Sequence, residues 1–508
     1  MDIAEYADAL VSGEPSLRKS LLVEASNKYG VAGIVSAVAS KYWINSVEAV
    51  RALGPIAGLA QPKRTVHTVA LYYSGLSIGG AERVTAFLAN LWAGMGYRVV
   101  LITDDDTSAY EYEVNQIVER RIIPSYCKAN AENYENRAKA LADILSAEQV
   151  DALVYGQWLG QTLPWDMLLC KMSGVSFLIY THGVMRCMFD ADCMRAELAL
   201  AYRYSDGVIT LSDVNTRFWQ LFNAHVWQTI NPLTIEPDSS KRAALDSYNI
   251  VWVGRLSLFD KRPDEALRVM AEVVKQCPDA HLIMVGPFAD DATEQQLRQL
   301  RDSLDLSDAV SFVGAQDNVL PYLQKASVYL HTSLYEGYPI ALAEAKNSGH
   351  SKRSIRFAVS DFGSRRERYP GGGKETESAA ASAICGLWQN PEKMKQLGDI
   401  AFNSMVGMSN YDFARLWRGI FDSLGSSTAS SADDDVMVDL MIDARIASSK
   451  SYEERINSLC SNQALLEQSL SSKSMEIQSV KESTSFKVGL LITAIPRKIK
   501  AILNSLRR

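Results

Sequence analysis

The 508-residue sequence lacks the patterns that mark several common protein classes. No run approaches the roughly 18 apolar residues of a membrane-spanning helix, and the first twenty residues are acidic where a signal peptide would be basic. The seven cysteines form no CxxC pair and no zinc-ligand cluster. A formal net charge of −7 argues against broad nucleic-acid binding. We therefore expect a cytoplasmic protein with reduced thiols and no nucleic-acid partner.

The length of the chain exceeds what one hydrophobic core usually organises, so two or more domains are expected. Residues 1–62 have apolar positions at helical spacing and predict a helical N-terminal extension. Short apolar runs then alternate with amphipathic stretches in two series, 63–235 and 236–425. Strands alternating with helices are typical of parallel sheets covered on both faces. The sequence therefore predicts an α/β protein of two Rossmann-like domains facing a cleft.

The predicted strands of the first series lie at 66–73, 97–103, 151–157, 176–183 and 206–212, and those of the second at 249–254, 281–286, 309–314 and 327–333. Ligands of open α/β sheets bind at the carboxyl ends of the strands. The candidate functional residues fall at those ends.

Residues 426–508 form a tail of different composition. After a polar linker, apolar residues at alternating four- and three-residue steps over 452–480 predict a weak coiled coil that could mediate self-association. The alternative is a helix packed on the body of the protein. Residues 486–508 combine an apolar helical face with basic residues and no acid, which suits peripheral contact with an anionic membrane at its inner face. A docking helix for a protein partner is the alternative there.

The first candidate site is the turn at Gly79 and Gly80, between a predicted strand and a predicted helix. Glycines let the backbone approach a ligand, and a helix N-terminus offers unpaired amides to an anion. By itself the pair is a weak signal, because glycines at strand–helix turns are more often structural. The spacing from Gly75 does not match the GxGxxG dinucleotide pattern, which disfavours a dehydrogenase.

The second candidate site is a pair of cations, Arg255 and Lys261, that follow the strand at 249–254. Two cations at one strand end could neutralise the diphosphate of a nucleotide leaving group. A solvated surface pair is the alternative.

The third candidate site lies in residues 335–345, after the strand at 327–333. Glu336 precedes a helix expected to start near Pro339, and Glu344 lies just over one turn into it. Carboxylates accept paired hydrogen bonds from vicinal diols, so two acids here suit sugar and ribose hydroxyls. Helix capping is the alternative role.

Together these segments resemble the GT-B glycosyltransferases, and specifically the large retaining family 4, or glycosyl transferases group 1. The matching stretches include SIGGAERVTAFLANLWAGMGYRVVLIT, YTHGV, SDGVITLSD and YEGYPIALAEA, within residues 66–425. The basic segment 347–356 departs from the family pattern, where a short Gly-x-Pro turn is expected.

The resemblance implies a role for each matched position. Arg255 and Lys261 would grip the donor diphosphate, and His182 would face the cleft beside the reacting sugar, with a structural role as its alternative. Glu336 would face the donor sugar and Glu344 the ribose. The remaining implied donor-binding positions are Gly79, Gly80, Gly337 and Tyr338.

Family members generally retain the anomeric configuration and need no bound metal, so the resemblance implies no metal and no cofactor beyond the nucleotide-sugar substrate. The acidic run Asp104–Asp106 is interpreted as a solvated loop rather than a metal site. The leading hypothesis is a transferase that moves a sugar from a UDP- or GDP-linked donor to a polysaccharide or lipid-linked acceptor of the cell envelope. The alternative is a non-catalytic, transferase-like scaffold that assembles partners through its coiled coil.

Overall fold

The computed structural model of the chain describes residues 1–44, 46–58, 65–77, 79–104, 111–185, 196–233, 235–349 and 374–424. The predicted coiled coil at 452–480, the basic helix at 486–508 and the atypical segment from residue 350 to 356 lie outside these residues. Among the helices that the structure describes, none combines the length and apolar character that a bilayer crossing requires.

Three helices form the N-terminal segment, as predicted: α1 (Ile3–Ser12), α2 (Arg18–Tyr42) and α3 (Ser46–Ala57). Asp2 and Glu5 form a reciprocal capping box at the start of α1. Helix α2 is kinked at Gly30, whose φ of 74° only glycine adopts without strain. The segment packs on the following domain, where Trp43 stacks on Trp165 with ring centroids 6.0 Å apart.

A seven-stranded parallel sheet follows, in the order β3-β2-β1-β4-β5-β6-β7. Its strands are β1 (Thr68–Tyr72), β2 (Arg98–Asp104), β3 (Glu119–Ile123), β4 (Ala152–Tyr155), β5 (Ser176–Tyr180), β6 (Gly207–Thr210) and β7 (Val226–Gln228). The five predicted strands are confirmed. The edge strands β3 and β7 were not predicted, because edge strands are largely unburied and carry polar residues such as Glu119 and Arg120.

The described helices of this domain are α4 (Gly80–Gly94), α5 (Tyr134–Ala147), α6 (Leu163–Met172), α7 (Ala196–Tyr204) and α8 (Asp213–Trp219). Helix α4 has Gly79 as its N-cap and buries Val84, Leu88 and Trp92 against the sheet. It therefore points its N-terminus at the carboxyl end of β1, where the candidate site begins.

The second sheet is also parallel, and the described residues contribute four strands to it in the order β10-β9-β8-β11. Its strands are β8 (Asn249–Val253), β9 (His281–Val285), β10 (Val310–Phe312) and β11 (Val328–Tyr329). Its helices are α9 (Pro263–Gln276), α10 (Asp291–Ser303), α11 (Leu320–Lys325), α12 (Ile340–Asn347) and α13 (Lys374–Trp388). All four predicted strands exist, and the two-domain α/β fold is confirmed.

The last two described helices, α14 (Pro391–Ser409) and α15 (Phe413–Leu424), return toward the first sheet. Trp417 and Phe421 of α15 pack edge-on against Trp92 of α4, with ring centroids 4.7 and 5.4 Å apart. Residues at the end of the predicted second domain therefore belong to the hydrophobic core of the first.

A buried ionic network lies at the carboxyl ends of β1, β2 and β4. Arg137 donates to Asp166 at 2.8 Å, and the two side chains are 1% and 0% exposed. Asp166 also accepts hydrogen bonds from the hydroxyls of Tyr134 (3.0 Å) and Tyr155 (2.9 Å). These bonds satisfy the buried carboxylate, which would otherwise be costly to remove from water.

The interpretation of Asp104 as part of a solvated loop is wrong. Asp104 ends β2 and is buried, accepting hydrogen bonds from the hydroxyls of Tyr72 (2.8 Å) and Ser125 (3.0 Å). Burial raises the pKa of its carboxyl, while Tyr72 and Arg137 oppose that rise. The partners come from other strands and helices, so the sequence around Asp104 did not reveal them.

We expect Arg137→Met to lower the free energy of unfolding by about 3–5 kcal/mol, because it leaves the buried Asp166 carboxylate without its positively charged partner. Urea unfolding followed by tryptophan fluorescence measures the loss. Lys139→Met is the matched control on the same helix: its ion pair with Glu135 is 60% and 57% exposed, so a change of only about 0.5 kcal/mol is expected. Similar losses in both variants would contradict this account of the network.

Candidate active site

Two loops at the carboxyl end of the second sheet are tied to each other by hydrogen bonds. The indole of Trp252 donates to the Thr332 hydroxyl, which donates to the Lys261 carbonyl, both at 2.9 Å. The Leu334 amide donates to the Asp260 carbonyl at 2.7 Å. These bonds join the loop after β8 to the loop after β11, which brings together the cations and the acid predicted from separate segments.

Lys261 and Glu336 form an ion pair at the centre of these loops, with Nζ 2.7 Å from Oε1. Burial opposes the charge on Lys261, but the attraction of Glu336 and Asp260 outweighs it and raises the lysine pKa. Burial likewise opposes the charge on Glu336, and Lys261, His331 and Ser333 outweigh it and lower the pKa of the carboxyl. Both groups therefore stay charged around neutral pH.

Arg255 lies at the same sheet edge but is much more accessible. Its side chain is 61% exposed, and its guanidinium is 3.8 Å from the Asp260 carboxylate, at the long end of ion-pair distances. Lys261 is 3.8 Å from the same carboxylate. Asp260 therefore lies within ion-pair distance of both predicted diphosphate-binding cations.

The first domain lies against these loops of the second domain. A Cβ added to Gly337 would lie 2.5 Å from the His182 carbonyl oxygen, and one added to Gly80 would lie 3.5 Å from Ile340. The loop and helix that carry the two predicted acids thus meet the ends of β5 and α4. The carboxyl edges of the two sheets face each other here, which is where open α/β sheets bind ligands.

His182 lies against this interdomain contact. Its ring meets Tyr73 and Tyr180 edge-on, with centroids 5.5 and 4.5 Å apart. Both ring nitrogens are shielded from solvent and have no hydrogen-bond partner among the described residues. Burial lowers its pKa to about 3, so the imidazole is neutral at physiological pH.

Glu344 and Tyr338 have partners of other kinds. The Glu344 carboxylate, 8% exposed, accepts a hydrogen bond from Arg83 of α4 at 3.0 Å. Tyr338 packs in the first domain's hydrophobic core; its hydroxyl donates to the Met408 sulfur at 3.0 Å, and its carbonyl accepts from Asn231. Its ring therefore contributes to packing between the domains.

Comparison with known proteins identifies the family. The family model described as glycosyl transferases group 1 matches residues 236–350, and that described as Glycosyltransferase Family 4 matches 78–223. An uncharacterized glycosyltransferase of Haemophilus influenzae is 26% identical over 275 residues, which cover 54% of this chain and 76% of the relative. The chain belongs to glycosyltransferase family 4.

Two further comparisons are more distant. The crystal structure of Anabaena HepE in complex with UDP and glucose superposes on 71% of this glycosyltransferase and 100% of HepE, with a TM-score of 0.52 and 14% identity, which supports the shared GT-B fold. A Campylobacter jejuni enzyme named as a GalNAc-GalNAc-diNAcBac-PP-undecaprenol N-acetyl-D-galactosaminyltransferase is 25% identical over 147 residues, covering 29% of this chain and 40% of that enzyme.

The structure of the glycosyltransferase also shows contacts that the sequence did not reveal. Arg83 joins Glu344 to α4, and Asn231 joins Tyr338 to the first domain. Asp260 lies within ion-pair distance of Arg255 in the same loop. Arg83 belongs to the sequence GGAER at residues 79–83. Its position after the paired glycines was the one sequence feature that indicated a role at the site. Its partner, 261 positions away, was not predictable from spacing.

The depressed pKa of His182 predicts a pH effect on the stability of the glycosyltransferase. Between its ordinary value of 6.5 and about 3, the unfolded chain binds a proton at His182 that the folded chain does not. Stability should therefore fall as pH falls through this range, by about 1.4 kcal/mol per pH unit.

The measurement is the difference in unfolding free energy between the wild type and His182→Gln, which removes the titrating group. We expect the difference to be constant above pH 7 and to shift against the wild type below about pH 6. A difference that does not change between pH 7 and pH 5 would contradict the burial of the imidazole.

Proposed function

We propose that this glycosyltransferase moves a sugar from a UDP- or GDP-linked donor to a polysaccharide or lipid-linked acceptor in cell-envelope glycan synthesis. The reaction retains the anomeric configuration and uses no metal. One observation carries the proposal: Lys261, paired with Glu336 at 2.7 Å, lies with Arg255 at the sheet edge that faces the first domain.

The two cations suit stabilisation of the leaving nucleoside diphosphate. Negative charge develops on the diphosphate oxygens as the sugar bond breaks, and fixed cations at that place lower the barrier. Lys261 is already held by Glu336 and the tied loops, so it needs little reorganisation. Arg255 is largely exposed and can turn its guanidinium toward the diphosphate.

Two helix N-termini support the same assignment. Helix α4 begins at Gly80 and helix α12 at Ile340, and these two residues are neighbours across the domain contact. The first amides of a helix have no partner within the helix, so two helix starts that meet favour an anion near both. Negative charge on the donor phosphates can therefore be met without a metal ion.

Glu336 and His182 are the proposed contacts of the reacting sugar. Glu336 stays ionised and can accept hydrogen bonds from sugar hydroxyls beside its bond with Lys261. A neutral imidazole can donate or accept a hydrogen bond but cannot supply a positive charge, so His182 would orient the sugar. Its unpartnered ring nitrogens are consistent with a hydrogen bond completed by substrate.

The acceptor class is inferred from one relative and from the basic segment 486–508. The Campylobacter relative is named for an acceptor linked through PP-undecaprenol, but the match covers only 40% of that enzyme. A lipid-linked acceptor would place this enzyme at the inner face of the membrane, where the basic segment 486–508 would make peripheral contact. Self-association through 452–480 belongs to the same proposal.

Nucleotide binding is tested by thermal unfolding with UDP, GDP and NAD. We expect UDP or GDP, but not NAD, to raise the melting temperature, because a ligand stabilises the state it binds. Arg255→Ala should weaken binding about tenfold or more through the loss of a charge-assisted contact. Arg298→Ala, which removes a 45% exposed arginine paired within one helix, is the matched control. Stabilisation by NAD alone would overturn the proposal.

Catalysis is tested by donor consumption with cell-envelope acceptors. Glu336→Ala should lower kcat about 100-fold or more, because it removes a sugar contact and the 2.7 Å partner of Lys261. Glu294→Ala, the exposed acid of the control pair, should leave kcat unchanged. Product anomers assigned by NMR test retention, and EDTA should not slow the reaction. Nucleotide binding without consumption of any donor would favour the scaffold alternative.

A further inference from the structure

Arg83 is a charged residue of the GGAER motif to which the proposed function gives no role. It stands in the first turn of α4, in the first domain. Its guanidinium donates to the Glu344 carboxylate of α12, in the second domain, at 3.0 Å. The arginine is 33% exposed and the glutamate 8% exposed. This is a largely buried ion pair between residues 261 positions apart.

The guanidinium of Arg83 is held on its other side as well. It lies over the ring of Tyr112, with its central carbon 5.1 Å from the ring centroid. The Tyr112 amide in turn donates to the Leu76 carbonyl, next to β1, at 3.0 Å. A planar guanidinium fixed by an aromatic ring presents its N–H groups in a defined direction. The first domain therefore sets the orientation of Arg83 before any ligand is present.

The surroundings of Arg83 favour its positive charge. Burial works against the charge on Arg83, but Glu344 and Tyr112 outweigh it and raise the arginine pKa. A carboxylate that accepts a hydrogen bond from one guanidinium can still accept others, since its two oxygens offer about four lone-pair sites. Arg83 and a pair of vicinal hydroxyls can thus share one carboxylate.

We propose that Arg83 is a positioning residue for the ribose of the donor: from the first domain it holds the Glu344 carboxylate in the orientation that accepts the ribose hydroxyls. The inference rests on the proposed function and on the ribose-binding role that the family resemblance implies for Glu344. Nucleotide recognition then depends on both domains, because the second domain carries the carboxylate and the first domain aims it. Tyr112 supports this role by fixing Arg83.

The inference has a specific consequence for nucleotide selectivity. If Arg83 acts through Glu344, its loss should reduce only the part of the affinity that comes from the ribose hydroxyls. Calorimetric binding of UDP and GDP is therefore compared with that of their 2′,3′-dideoxy analogues. A merely structural role would weaken the natural nucleotide and its analogue to the same extent.

We expect the wild type to prefer the natural nucleotide about tenfold, the size of a hydrogen bond to a charged group. Arg83→Met should bring this ratio close to one, while the analogue's affinity changes less than about threefold. Arg83→Lys, which keeps the charge but not the planar fork, should restore part of the ratio. Glu344→Gln gives the affinity ratio expected when the carboxylate itself is lost. Arg298→Met is the control and should keep the wild-type ratio.

Circular dichroism shows whether each variant is folded. If Arg83→Met does not fold, Tyr112→Leu carries the test, because it frees the guanidinium without removing it and should also lower the ratio. The inference is overturned if the ratio of natural nucleotide to analogue affinity falls in Glu344→Gln but persists in Arg83→Met. The same result in Tyr112→Leu overturns it where that variant carries the test. The proposed function is not affected by either result. A wild type that binds none of the four nucleotides overturns the proposed function and this inference together.

Discussion

The ion pair between Lys261 and Glu336 is the interaction on which the candidate site depends. Each charge is removed from water at a cost, and each is stabilised by the other at 2.7 Å. Hydrogen bonds from Thr332 and Leu334 tie the loop after β11 to the loop after β8 and keep the two side chains within reach of each other. Residues 75 positions apart in the chain are thereby fixed with respect to one another. Asp260 extends the arrangement to Arg255.

A second set of contacts sets how the two sheets face each other. Gly337 meets the His182 carbonyl, Gly80 meets Ile340, and Arg83 pairs with Glu344. Small residues permit the close approach, and the ion pair gives it a defined direction. A side chain at position 337 would push the second domain away from the first. The first domain therefore contributes to the geometry of a site whose charges lie mostly in the second.

The first domain is stabilised by a buried ionic network and by aromatic packing. The carboxyl ends of its central strands carry a buried network of Arg137, Asp166 and Asp104 with tyrosine hydroxyls. Trp43 of the N-terminal segment and Trp417 of α15 pack on helices of the same domain. Residues from both ends of the described chain thus stabilise the platform that holds His182 and the Gly79–Gly80 turn.

The sequence by itself determined the two-domain α/β fold and nine of the eleven described strands. Buried parallel strands need continuous apolar runs, and runs such as 249–254 are visible without a structure. It also placed Arg255, Lys261, Glu336 and Glu344 at strand and helix ends. Only the tertiary structure decided that Asp104 is buried, that β3 and β7 complete the sheet, that Tyr338 packs in a core and that Arg83 holds Glu344. The local pattern of apolar residues shows which face of a helix or strand is buried. Contacts between side chains that are hundreds of residues apart depend on how the helices and strands pack.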